Sequence, residues 1–218
     1  MKPLLETLPE AQQRLWPDLA VVPSRFVLYG GTALALRLGH RISEDFDFFS
    51  SVPFAPEHLE REIGELGVID HIQSSANTLV FMVDRGGPVK LSFFGGLGLR
   101  RVAEPDALDS FGWRIASLLD LAATKMGAVQ GRAEAKDYLD IARLLDEGIG
   151  LDQALGAAKG VYGPSFSPVL SLKALSFFND GNLASLPAGV RDHLVAATSS
   201  VDLGRLTSIP ALPGDLSR

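Results

Sequence analysis

The stretch from Phe26 to Ser50, FVLYGGTALALRLGHRISEDFDFFS, constrains the fold of this chain more than any other. Phe26-Val27-Leu28-Tyr29 is a short apolar run of β-prone residues, which predicts a buried strand. Gly30-Gly31 ends it. The residues from Thr32 to Leu38 read as a helix that Gly39 stops. A glycine pair at a strand-to-helix turn lets the backbone come close to a ligand. The helix start adds free N–H groups and a positive dipole end, which suit phosphate. Alone, such a pair is only a turn.

The next segment sharpens the reading. Glu44-Asp45-Phe46-Asp47-Phe48-Phe49 alternates as a strand, so Asp45 and Asp47 project from one face and Phe46 and Phe48 from the other. Two carboxylates a strand step apart repel each other, and partial burial raises the cost. A hard cation, Mg²⁺ or Mn²⁺, removes the conflict by taking carboxylate and phosphate oxygens together. In isolation Asp-x-Asp is the wet face of an amphipathic edge strand. Fifteen residues after Gly30, on the following element, it reads as a site for a divalent metal and a nucleotide phosphate.

Length and composition narrow the class. A chain of 218 residues can bury a sizeable core in one domain or two small ones. The net charge of −6 argues against indiscriminate coating of nucleic acid, though it leaves room for a local basic groove. The absence of cysteine excludes disulfides, a thiolate zinc site and a cysteine nucleophile. No apolar run reaches membrane-spanning length and no basic-then-apolar leader opens the chain. A cytoplasmic protein without a membrane partner is expected.

Along the rest of the chain, Pro9-Glu10 opens a short helix that Pro17 ends. Leu59, Ile63 and Leu66 mark an amphipathic helix over 56–66, closed by Gly67. Residues 78–83 and 89–94 form strands around the turn Arg85-Gly86-Gly87-Pro88, a hairpin. In the second strand Val89, Leu91 and Phe93 face one way and Lys90 and Ser92 the other; Lys90 reads as a sheet-edge lysine. Residues 95–109, with Gly95-Gly96, Gly98, Arg100-Arg101 and Pro105, read as a connection leading out of the sheet. Residues 115–148 are helical, with a bend or break at Gly127 and Gly131. Helices follow near 151–160, 169–179 and 190–197, and the tail from Ser208 is expected to be loosely held. His58 and His71 are isolated and read as surface residues.

Gly30-Gly31-Thr32, then twelve residues, then Asp45-Phe46-Asp47 resembles the signature of the DNA polymerase β-like nucleotidyltransferase superfamily. With His40-Arg41-Ile42-Ser43 before the aspartates, the string is similar to the AbiEii/AbiGii toxin family of type IV-like bacterial toxin–antitoxin and phage-defence systems. Leu121-Ala122-Ala123-Thr124-Lys125, then Arg132, then Lys136-Asp137-Tyr138-Leu139-Asp140 resembles a second block of that family, in which the first lysine and the Lys-Asp pair line the active cleft. On an unbroken helix Lys125, Arg132 and Lys136 would share one basic stripe suited to a triphosphate; alternatively they are a solvated face paired with Glu134 or Asp140. Asp137 either orients Lys125 or serves as a base. The resemblance implies a third carboxylate on the strand that holds Ser92. Its absence leaves three outcomes open: a weak second metal, replacement by an acid such as Asp84, or a retained fold with altered chemistry.

The expected fold is α/β of the α+β type. A small mixed β-sheet nucleotidyltransferase core with flanking helices (1–110) is followed by a helical C-terminal half (111–218) that completes the cleft. The expected activity moves NMP from an NTP to an acceptor hydroxyl. Gly30, Gly31, Thr32, Lys125, Arg132 and Lys136 would bind nucleotide, Asp45 and Asp47 the metal, and Asp45, Asp47, Lys125 and Asp137 would act in catalysis. The resemblance implies a tRNA 3′ end or a protein as acceptor and a cognate antitoxin as partner. The alternatives are a catalytically impaired nucleotide- or protein-binding regulatory module and a phosphohydrolase.

Overall fold

The alternation in Asp45–Phe49 is realised as strand, and it sets the middle of a seven-stranded sheet. The computed structural model describes residues 1–214 and Leu216. It divides into two compact units. One comprises Met1–Leu99 and Glu104–Ser117 with Gly214 and Leu216; the other comprises Arg100–Ala103 and Leu118–Pro213.

The first unit holds helix α1 (Glu10–Leu15), strand β1 (Val27–Tyr29), helix α2 (Gly30–Leu38), strand β2 (Asp45–Phe49), helix α3 (Pro56–Glu62) and strands β3 (Val68–Ser75), β4 (Thr78–Asp84), β5 (Pro88–Phe94), β6 (Asp106–Ala107) and β7 (Arg114–Ile115). The strand order is β3-β4-β5-β2-β1-β7-β6. β2 runs antiparallel to β1 and parallel to β5, and β1 is parallel to β7. The sheet is therefore mixed, as expected.

Its core is aromatic. Phe46, Phe48, Phe93, Phe26, Phe81 and Trp113 are all fully buried. Phe48 stacks on Phe93 at 5.1 Å and meets Trp113 edge-on at 5.2 Å, while Phe26 meets Phe93 edge-on at 5.1 Å. Such pairs add to the area term that drives burial. The Trp113 indole N–H donates to the Leu19 carbonyl at 2.8 Å, so the ring is buried with its polar group satisfied.

The β4–β5 hairpin forms as expected, with Val89, Leu91 and Phe93 fully buried on one face. Three expectations are corrected. Lys90 does not lie at a sheet edge, because β5 sits between β4 and β2. Residues after Leu99 do not simply leave the sheet, since β6 and β7 return to it and β7 pairs with β1. The helix expected over 56–66 stops at Glu62 and continues as a 3-10 turn over Gly64–Leu66.

The second unit holds α4 (Leu118–Gly131), α5 (Ala135–Asp146), α6 (Leu151–Tyr162), α7 (Pro168–Leu175) and α8 (Ala188–Ser200). Gly131 ends α4, while Gly127 lies inside it without breaking it. A Cβ on residue 127 would lie 2.7 Å from the Tyr162 hydroxyl, so the glycine makes room for that ring. Burial pushes the Tyr162 hydroxyl pKa up to about 12. The tail is tied down further than expected. The Ile209 N–H donates to the Gly156 carbonyl at 2.9 Å and the Leu212 N–H to the Arg101 carbonyl at 2.8 Å. Asp215, Ser217 and Arg218, the rest of that stretch, lie outside the described residues.

Phe48 packs among the rings of Phe46, Phe93 and Trp113, so Phe48→Ala should cost about 3–5 kcal/mol. Urea unfolding followed by tryptophan fluorescence checks this; a loss below about 1 kcal/mol would mean that the core does not depend on this ring.

Candidate functional site

The site is built on the face of β2 opposite the aromatic core. Asp45 and Asp47 are both half-buried there, while Phe46 and Phe48 are fully buried behind them. The β2–β5 register sets Lys90 beside Asp45, Ser92 beside Asp47 and Phe94 beside Phe49. On the other side Tyr29 lies beside Asp47 and stacks on Phe49 at 5.0 Å. In-register neighbours share a face, so the two acids, Lys90, Ser92 and Tyr29 form one surface.

The glycine turn abuts this surface. Gly30 has φ +74°, a left-handed conformation that favours glycine, and a Cβ there would lie 2.6 Å from Asp47 Oδ2. A side chain at 30 would press on the second acid. The space a Cβ at Gly31 would take is filled by the Arg41 guanidinium, which also donates to the Ile42 carbonyl at 2.9 Å. Arg41 is thus a cation at the start of α2, where backbone N–H groups already favour an anion. The sequence carries one signal for this role of Arg41, a basic residue four positions before the first aspartate.

Thr32 is buried, and its hydroxyl donates to the Asp45 carbonyl and lies 2.9 Å from Ser43 Oγ. It therefore fastens the first turn of α2 to the start of β2. Gly30, Gly31, Thr32, Asp45 and Asp47 are brought together, as the spacing predicts.

Lys90 Nζ lies 3.0 Å from Asp45 Oδ2. Both side chains are more than a third exposed, so the pair contributes at most about 1 kcal/mol to folding. Ser92 is buried beside Asp47, in the place where the family resemblance implies a third acid. Among the described residues no group of three His, Cys, Asp or Glu side chains could hold a metal ion. Two half-buried carboxylates on one face suit a hard cation that also takes phosphate oxygens. They do not make a three-carboxylate site.

The remaining expected residues lie in the helical unit. α4 and α5 are separate helices, so the continuous basic stripe does not form. Lys125 is buried, with Nζ at 2.6 Å from both Asp137 Oδ1 and Asp140 Oδ2, and neither aspartate is exposed. Arg132 Nε donates to Asp137 Oδ2 at 2.7 Å and Nη2 to Oδ1 at 3.1 Å, while about half of its side chain stays exposed. Lys136 pairs with Glu134 at 3.0 Å and is also half exposed. The partners named in the alternative reading, Glu134 and Asp140, are thus used. Burial pushes the Asp137 carboxyl up, but the bond from Arg132 and the charge of Lys125 outweigh it, leaving its pKa below the ordinary value.

The chain is similar to known proteins in sequence and in fold. A model of the nucleotidyl transferase AbiEii toxin family, of the type IV toxin–antitoxin systems, matches residues 18–197. An uncharacterized protein of Aquifex aeolicus is 36% identical over 118 residues, covering 53% of this chain. The match spans about half of that relative's length, 55%. The solved structure of MenT4, a nucleotidyltransferase toxin of Mycobacterium tuberculosis, superposes with a TM-score of 0.58 at 16% identity, covering 88% of this chain and 83% of that one. An H. pylori protein described as a proposed nucleotidyltransferase gives 0.52 at 19% identity, over 86% and 90%. The two structures share this fold. Among the described residues no helix is long and apolar enough to cross a membrane.

The lowered carboxyl of Asp137 carries a sign for stability. It contributes in full above the unfolded pKa of about 3.9 and is lost as pH falls through the lower folded value. Asp137→Asn should lower stability at pH 7 by about 3–5 kcal/mol, because Lys125 and Arg132 lose their shared anion. The gap to the unsubstituted protein should narrow as pH falls below about 4. Urea midpoints at both pH values measure this; a gap that is unchanged or widens on acidification would contradict the assignment.

Proposed function

Since the chain belongs to the AbiEii nucleotidyl transferase toxin family, we propose that it moves a nucleoside monophosphate from an NTP to an acceptor hydroxyl. The observation that carries this reading is the placement of Asp45 and Asp47 on one half-buried face against the Gly30 turn. In the reaction the acceptor oxygen bonds to the α-phosphorus, the bond from that phosphorus to the bridging oxygen breaks, pyrophosphate leaves, and the hydroxyl proton passes to water.

The backbone of Gly30 and Gly31 cradles the phosphates, with Arg41 beside it as a cation. Thr32 acts by positioning, since its hydroxyl is spent on holding β2. Asp45 and Asp47 would hold Mg²⁺ or Mn²⁺, which would supply positive charge to offset that of the phosphates. Of the two roles left open for Asp137, we favour the orienting one. Both its oxygens are bonded and its pKa is lowered, which makes it a weak base. Lys125, buried between two acids, is assigned to the same orienting pair instead of a direct phosphate contact. Arg132 and Lys136, each about half exposed, remain candidates for nucleotide contact.

The acceptor class is a tRNA 3′ end or a protein hydroxyl, the place of action the cytoplasm, and the partner an antitoxin that relieves growth arrest. A second reading is favoured by Ser92 and by the missing third acid: a catalytically impaired module that binds nucleotide or protein to regulate a partner.

The test offers ATP, CTP, GTP and UTP, each labelled at the α-phosphate, with total tRNA and cell protein. Transfer of label with matching pyrophosphate release is expected, and Asp45→Ala or Asp47→Ala should reduce it on the order of a hundredfold or more. Release of inorganic phosphate instead would identify a hydrolase. No turnover with any NTP, while nucleotide or protein binding survives, would establish the regulatory module.

A further inference from the structure

We infer that Lys90 takes the electrostatic place of a second cation, so that the acid face accepts one divalent ion per chain. This rests on the transferase reading above and specifies how its metal site is built.

The register carries the argument. β5 runs parallel beside β2 with Lys90 opposite Asp45 and Ser92 opposite Asp47. The lysine ammonium lies 3.0 Å from Asp45 Oδ2. On the far side of β5 the paired residues are Met82 beside Lys90 and Val80 beside Ser92; the acid of β4 on this face, Asp84, sits beside Pro88 at the hairpin turn, where its Oδ1 accepts from the Gly86 and Gly87 N–H groups at 2.7 and 2.9 Å. Lys90 cannot turn to the other face either. Its neighbours Val89 and Leu91 are fully buried there, and a one-residue slip would expose the whole apolar side of the strand.

Charge follows from this placement. A second divalent ion needs another oxygen-rich anionic ligand. β5 supplies a cation and a hydroxyl instead, and the ammonium repels further positive charge. Three carboxylates holding two divalent ions carry one net positive charge. Two carboxylates with a lysine and one divalent ion carry the same. The face therefore presents the same net charge to the phosphates with a resident ammonium in place of an exchangeable metal.

The experiment counts ions. Full-length protein is titrated with Mn²⁺ in the presence of an NTP analogue with a methylene between the α- and β-phosphorus, and bound Mn²⁺ per chain is read by equilibrium dialysis and electron paramagnetic resonance. One ion per chain is expected for the unsubstituted protein and two for the double variant Lys90→Gln/Ser92→Asp. Lys90→Gln alone should keep one ion and bind it several-fold more tightly, because a like charge is gone. Two ions on the unsubstituted protein, with label transfer intact, overturn the role of Lys90 while the transferase reading stands. One ion on a folded double variant, or weaker binding by Lys90→Gln, also overturns it. No ion on any of the proteins overturns the metal site itself, and with it both readings.

Discussion

The complete burial of Phe46 and Phe48 against Phe93 and Trp113 decides where the neighbouring acids point. In a strand of period two, a slip of a single residue would drive Asp45 and Asp47 into the aromatic core and bring the two rings to water. The free energy of aromatic burial, about 2–3 kcal/mol per ring, therefore holds two repelling carboxylates on one face. Thr32 adds the second constraint by tying α2 to the carbonyl of Asp45. Gly30 adds the third, because only a residue without a side chain leaves Asp47 its space. Turn, helix start and acid strand form one mechanical piece.

The helical unit handles charge differently. Asp137 accepts from Lys125 and Arg132 at once, and Lys125 is shared with Asp140. A buried lysine between two buried acids is costly to desolvate and costly to break, so it specifies how α4 and α5 meet more than it adds stability. At the sheet, by contrast, the Lys90–Asp45 pair stays partly open to solvent. There the charges remain available to a ligand.

Much of this was legible in the residues. The β2 alternation, the Gly-Gly-Thr turn and the 89–94 strand each carry a local signal strong enough to survive tertiary context. What escaped was non-local or unburied. β3 forms at the sheet margin with nearly every residue exposed, so VIDHIQSS shows no apolar face to detect. β6 and β7 are two residues each, too short for any period. The contact of Lys90 with Asp45 depends on β5 lying parallel to β2, a pairing across 45 positions that spacing alone cannot fix. The convergence of Lys125 and Arg132 on Asp137 depends on the break between α4 and α5, which turns an imagined stripe into a closed ion network.

The central claim is that one surface, made by the Gly30 turn and the outward side of β2, receives the cation. Paramagnetic broadening of amide signals during a Mn²⁺ titration tests it most directly. The backbone signals of Gly30, Gly31, Asp45, Asp47 and Ser92 should fade first and together, while those of the β3 edge stay sharp. Broadening that starts elsewhere, or that spares the glycine turn while reaching the acids, would contradict the claim.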